Sequence, residues 1–176
     1  MTNGNSIIFK NNLNTMPKKQ YISPIQSFDF YLEHYHKMLR KMKLENDLKE
    51  LKEATKLSLD TTIISVLEES YYEALVVTNV EKEILWASNG FKEMTGYSKS
   101  FALGKKPTFL QGKNTSKESL NEIRQLLKAQ KRFSRSIVNY RKNGEEYLCQ
   151  IQVMPIYGKG KKLTHFLAME SEKKIA

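Results

Sequence analysis

The stretch Arg132–Ile156, RFSRSIVNYRKNGEEYLCQIQVMPI, decides how this chain folds. Its Asn143-Gly144 pair suits the left-handed backbone of a two-residue turn, and it sits between two runs rich in β-branched and aromatic residues. The spacing predicts an antiparallel hairpin. A third run, LTHFLAME at Leu163–Glu170, follows through the glycine- and lysine-rich joint GKGKK. Reading these strands with a period of two gives two faces. One carries Phe133, Ile137, Asn139, Tyr147, Cys149, Ile151, Val153, Phe166, Ala168 and Glu170. The other carries Val138, Tyr140, Leu148, Gln150, Gln152, Met154, Leu163, His165, Leu167 and Met169.

Neither face is polar enough to be left in water, although an antiparallel sheet usually wets one side. Something has to cover each. Working towards the N-terminus, TSKESLNEIRQLLKAQ reads as a helix that Ser116 caps, with Leu120, Ile123, Leu126 and Leu127 facing inwards. SNGFKEMTGYS is a short helix stopped by Gly96, and KSFALG is one further turn. ALVVTN and EKEILWAS form a second hairpin, turning at Val80-Glu81-Lys82. These short helices suffice for one face of the sheet. The other face is expected to be covered by a long N-terminal helix, from this chain or from a partner.

That helix begins near Ser27. Phe28, Leu32, Tyr35, Leu39 and Met42 recur at intervals of four and three. A second stripe, Leu44, Leu48, Leu51, Thr55 and Ser58, follows with an offset of two. Such a shift suits a helix that touches different surfaces at its two ends, or a skip in a short coiled coil. Glu45 and Lys49 are spaced for an ion pair. Both an ordinary packing helix and a dimerising helix satisfy this pattern. IISVLEESYYEA is one more apolar helical segment before the sheet.

The chain has 176 residues, 40% of them hydrophobic, which is enough for one domain with an extension. No run of 18 apolar residues is present and the start lacks a secretory apolar block, so the expected location is cytoplasmic, away from membranes. A single cysteine, Cys149, excludes a disulfide framework. The net charge of +10 is uneven: twelve basic residues lie from Lys99 to Lys142, opposed only by Glu118 and Glu122. This basic face admits a nucleic acid or an acidic partner, but no recognition motif accompanies it, and a solvated surface explains it as well.

GKKPTFLQG, Gly104–Gly112, resembles a phosphate loop only superficially. The P-loop places its lysine after the second glycine, and here Pro107 removes a backbone donor. His34 and His36, two apart on a helix, point in different directions, and His165 stands alone on the outer face. No nucleophile–base arrangement is visible, so the chain is not expected to be an enzyme.

The order strand, strand, short helices, longer helix, three antiparallel strands resembles a PAS domain, as do the segments ILWASNGFKEMTGYSKSFALGK and NYRKNGEEY. GKKPTFLQG is further similar to the motif of LOV domains, the flavin-binding, blue-light-sensing branch, which runs Gly-Arg-Asn-Cys-Arg-Phe-Leu-Gln-Gly. Gly104, Phe109, Leu110, Gln111 and Gly112 match that motif. Lys106 stands where the family has a flavin-contacting asparagine, Pro107 where it has the photoactive cysteine, and Thr108 where an arginine meets the flavin phosphate. Asn139 matches an asparagine at the ring's pyrimidine edge, and Cys149 falls where a second one belongs. Glu170 falls where the last strand's glutamine hydrogen-bonds near flavin N5. An ionised glutamate only accepts hydrogen bonds, so it would not donate as that glutamine does. A buried Glu170 and a frayed, exposed one near the chain end are both open.

The resemblance implies an α+β PAS fold: a five-stranded antiparallel sheet with short helices on one face and a long N-terminal helical extension. The expected divisions are a flexible tail at 1–24, the extension at 25–65, the PAS domain at 66–171 and a tail at 172–176. The expected function is a sensory and dimerisation module acting in signal transduction through a partner protein, without a cysteinyl adduct. A homodimer is expected through Leu148, Met154, Leu163, Leu167 and Met169 with Leu39 and Leu48. With Lys106, Thr108 and Cys149 replacing polar pocket residues, collapse of the pocket onto Leu110, Ile137 and Ile151 is the expected course, with no cofactor. The alternative is non-covalent FMN or FAD, held by Gln111, Asn139, Cys149 and Glu170.

Overall fold

The structure, a computed structural model, describes residues 24–173. The expected tail, apart from Pro24, and residues 174–176 lie outside the described residues. Two compact units divide the chain, one ending at Lys37 and the other beginning at Met38. Helix α1 (Pro24–Thr55) runs through that division. In the first unit Phe28, Phe30, Tyr31 and Tyr35 are exposed, and the rings of Tyr31 and Tyr35 stack with centroids 6.4 Å apart.

In the second unit α1 is followed by α2 (Thr61–Glu69), which starts where Asp60 Oδ1 accepts the Ile63 amide at 2.8 Å. The expected boundary at 65/66 therefore falls inside a helix. Strands β1 (Ala74–Asn79) and β2 (Ile84–Ala87) form the first hairpin. Helices α3 (Asn89–Thr95), α4 (Lys99–Ala102) and α5 (Lys117–Lys128) precede β3 (Phe133–Tyr140), β4 (Glu146–Tyr157) and β5 (Leu163–Glu172). The strands make one antiparallel sheet in the order β2-β1-β5-β4-β3. The hairpin expected at Asn143-Gly144 is present, but its link is the five residues 141–145 and not a two-residue turn: of the pair only Gly144 is left-handed, at a φ of 86°, and the Arg141 amide donates to Glu145 O at 2.9 Å.

Both sheet faces are covered by this one unit. On the outer face Leu44, Leu51, Ile63 and Leu67 pack against Leu75, Val77, Trp86, Met154, Ile156, Leu167 and Met169. Leu51 and Leu67 are almost wholly buried, and each contributes about 1.5–3 kcal/mol by leaving water. The second helical stripe is thus the one that meets the sheet. Met154, Leu167 and Met169, expected at an interface, are buried beneath α1 and α2 and are not accessible to another chain. Leu48 packs half-buried in the same cluster, and Leu148 is half-buried. Leu163 departs from the period-two reading. The pairing shifts at Ile156/Tyr157, and Leu163 packs with Phe133, Val153 and Phe166 on the opposite side. Leu39 alone of the expected interface residues is well exposed.

Polar contacts fix the angle of this cover. Buried Asp47 accepts from Tyr72 Oη at 3.0 Å and lies 3.6 Å from Lys43 Nζ, which also donates to the carbonyls of Tyr72 and Glu73. Burial raises the Asp47 carboxyl and lowers the Lys43 ammonium from their ordinary pKa values. Glu50 meets Lys99 of α4 at 2.9 Å. Glu45 lies 3.9 Å from Lys41, one turn earlier, where the sequence suggests Lys49.

Candidate functional site

The stretch Gly104–Gly112 is built as a clamp between β2 and β3. Gly104 has a φ of 75°, a turn conformation that side chains strain, and its amide donates to Ile84 O while Ile84 N donates to Lys105 O. Pro107 opens a single 3-10 turn (Pro107–Leu110), where its missing amide costs nothing. Leu110 is buried in the core, and Phe109 meets Tyr97 and Phe101 edge-on at 5.1 and 5.3 Å. A Cβ on Gly112 would come within 2.3 Å of the Tyr140 ring, so the chain passes β3 there only as glycine. Thr115 Oγ1 then donates to Val138 O and accepts from the Gly112 amide, and Ser116 caps α5 by accepting from Ser119 N.

With its N-terminal end held, α5 lies over the sheet without closing on it everywhere. The space between them is a cavity of about 380 Å³. The sheet contributes Thr78, Ile137, Asn139, Ile151, Val153, Phe166, Ala168 and Glu170; α5 contributes Leu120, Ile123 and Leu127; the turn contributes Pro107, Thr108, Leu110 and Gln111. The pocket therefore does not collapse. Leu110, Ile137 and Ile151, expected to close it, are its walls. Its size and mostly apolar lining with a few polar groups are those of a small-molecule site. Four exposed cations, Lys82, Lys106, Arg124 and Lys128, also line it and rim the opening.

Three of the four residues expected to hold a cofactor meet here: Gln111, Asn139 and Glu170. Cys149 does not line the cavity. It is fully buried among Ala74, Val76, Ile137 and Tyr147, and burial raises its thiol pKa far above the ordinary value, so it is an inert core residue. The fraying of Glu170 is not observed, because β5 lies between β1 and β4 and runs on to Glu172. Glu170 is 7% exposed, and its Oε2 has no hydrogen-bond partner among the described residues. Burial pushes its carboxyl up to about 7. This changes the reading of its chemistry: near neutrality a large share of the carboxyl is protonated and able to donate. Lys82, Thr78 and Arg124 escaped the sequence reading. Lys82 is a turn residue, Thr78 an ordinary strand residue, and Arg124 was lost among the basic residues around it. Only the fold brings them to one opening. Among the described residues no cluster of His, Cys, Asp and Glu suits a metal ion.

The PAS domain family matches residues 73–170, more than half of the chain, and the chain belongs to that family. Within it the similar proteins include a LOV protein and proteins named for their response to blue light. Protein TWIN LOV 1 of Arabidopsis thaliana is 35% identical over 88 residues, 49% of this chain and 22% of that protein. A blue-light photoreceptor of Listeria innocua is 34% identical over 86 residues, 47% of this chain and 34% of that protein. A blue-light-activated histidine kinase of Rhizobium johnstonii is 33% identical over 99 residues, 54% of this chain and 29% of that protein. The chain thus spans about a fifth to a third of the length of these curated relatives. Among solved structures, the dark form of the Aureochrome1 LOV photoreceptor shares the fold with a TM-score of 0.60 at 24% identity, covering 67% of this chain and 87% of that one. A light-oxygen-voltage domain studied with a flavin analogue gives 0.58 at 24% identity, covering 65% and 87%.

The unpartnered acid makes a stability prediction. Glu170 titrates near 7 when folded and near 4.5 when unfolded, so the folded state holds the extra proton between those values. Its own contribution to stability is therefore fully present below about pH 4.5, is lost as pH rises to about 7, and is then level. Glu170→Gln removes that loss. Denaturant unfolding should find the variant about 3 kcal/mol more stable than the parent at pH 8, with the gap closing towards pH 4.5. A gap that does not widen with pH contradicts the placement.

Proposed function

We propose that this PAS domain is a LOV-like sensor module whose cavity binds a flavin non-covalently, FMN above other forms. The observation that carries this reading is the open cavity with three amide or carboxyl side chains on its lining and four cations at its rim. The residues suit the group. The apolar walls suit a flat aromatic ring system, Gln111, Asn139 and Glu170 suit its hydrogen-bonding edge, and the rim suits a phosphate. The likeness to LOV proteins supports the same choice over the ligand-free reading that the changed residues suggest.

When bound, a flavin supplies visible absorption and redox chemistry, and the protein supplies position and electrostatics. Asn139 and Gln111 would orient the ring edge, Lys106 and Arg124 would offset the negative tail, and Leu120, Ile123 and Leu127 would exclude water. Pro107 lines the cavity but has no thiol, and Cys149 is shut in the core. A sensor of this kind signals without a cysteinyl bond at position 107. Purified protein should quench the fluorescence of added FMN. Ala168→Trp, which fills the cavity, should abolish binding, and Arg124→Ala should weaken it roughly threefold in low salt. An Ala168→Trp protein that binds as well as the parent contradicts the site.

We further infer that the protein self-associates through the first helical stripe. In the sequence Phe28, Leu32, Tyr35, Leu39 and Met42 keep the four-and-three spacing of a coiled-coil seam, and in the second unit Leu39 and Met42 are exposed. Sedimentation should give a dimer for the parent and a monomer for the Tyr35→Glu, Leu39→Glu double variant. A dimer that survives both changes contradicts this seam.

A further inference from the structure

Glu170 is the least satisfied buried group that the cavity contains, and its surroundings define what it can do. It lies on β5 opposite Ala74 of β1 and Ile151 of β4, facing the cavity, with Oε2 unpartnered. The charged groups nearby are otherwise engaged. On the approach to β1, the Glu73 amide donates to the Glu170 main-chain carbonyl at 2.8 Å, and the Glu73 carboxylate accepts from Tyr71 Oη and the Glu172 amide. Arg141, after β3, pairs with Glu172 at 2.7 Å and with Glu145 at 3.4 Å. From β4 the neighbours are the Tyr147 phenol and the Cys149 thiol, both held neutral by burial. From β3 comes the uncharged Asn139, and from the 3-10 turn and its flank Lys106, Thr108 and Gln111. Lys82, Arg124 and Lys128 stand at the solvent-exposed rim, and no cation forms an ion pair with Glu170 among the described residues.

An ionised carboxylate in this position is a buried charge without compensation, which is expensive. A neutral carboxyl has one O–H to give and only the cavity to give it to. We propose that Glu170 is the ligand-selecting acid of the cavity: it enters the complex protonated, donates a hydrogen bond from its carboxyl to an acceptor on the ligand's edge, and so makes binding at neutral pH draw a proton from solvent. A glutamine would offer its donor at every pH, whereas this donor is conditional. The ligand class is therefore a planar, acceptor-edged molecule, with affinity that depends on proton supply. The burial that raises the carboxyl pKa acts in the same direction.

This inference rests on the flavin reading for its probe but not for the state of the acid, and the experiment separates the two. FMN affinity is measured by fluorescence for the parent and Glu170→Gln from about pH 6 to about pH 8.5. The parent should bind evenly below about pH 7 and weaken above it, approaching tenfold per pH unit. The variant should lack that loss and bind roughly thirtyfold more tightly than the parent at the alkaline end. The phosphate of FMN titrates alike in both, so it cancels in the comparison. Parallel pH profiles overturn the proposal. The flavin-free parent is also titrated by carboxyl ¹³C NMR, with Glu170→Gln assigning the resonance. A midpoint near 7 upholds the protonated acid, and one near 4.5 overturns it. If neither protein binds FMN at any pH, the flavin reading falls, and the NMR midpoint alone decides whether a protonated donor awaits a different acceptor.

Discussion

A five-stranded sheet that is apolar on both faces is the constraint behind the rest of this molecule. One face, carrying Leu75, Val77, Leu167 and Met169, is closed by α1 and α2 of the same chain. The second face faces short helices that reach it only in part. Tight packing runs from Ala74 to Phe91 and Met94 at one side and from Phe133 to Leu126 at the other. Between them Leu120, Ile123 and Leu127 of α5 pack on the strands only half-buried, and the cavity is what the cover leaves open. Dry packing outside and a pocket inside are two consequences of one sheet.

The same strand serves both sides. In β5, Leu167 and Met169 anchor the outer cover while Ala168 and Glu170 line the cavity, alternating as a strand must. Glu73 joins the sides more directly. Its amide bonds to Glu170 and its carbonyl accepts from Lys43 of α1 at 3.0 Å. The cavity wall at Glu170 is thus joined through Glu73 to the residue that anchors α1.

Much of this was legible in the sequence, because local chemistry decides it. Asn143-Gly144 allows little but a tight hairpin, Ser116 caps α5, and period two assigned Asn139 and Glu170 to the inner face. What stayed hidden depends on distance. No pattern says that Leu44 and Leu51 meet their own sheet instead of a partner's, since either surface satisfies the stripe. The displacement of Leu163 follows a pairing shift that leaves no mark in composition. The openness of the cavity follows from where α5 is held, at Gly112, Thr115 and Ser116, and not from the residues that line it. Glu170 looked like a lost donor when taken as an ionised side chain; burial without a partner restores the proton.

The central claim is that this cavity holds a flavin, and a crystal structure of the protein grown with FMN tests it most directly. The account predicts the ring between α5 and the sheet, its polar edge at Gln111, Asn139 and Glu170, and its phosphate among Lys82, Lys106, Arg124 and Lys128. A structure grown at saturating FMN in which the cavity is closed by its own side chains, or the flavin lies elsewhere, contradicts it.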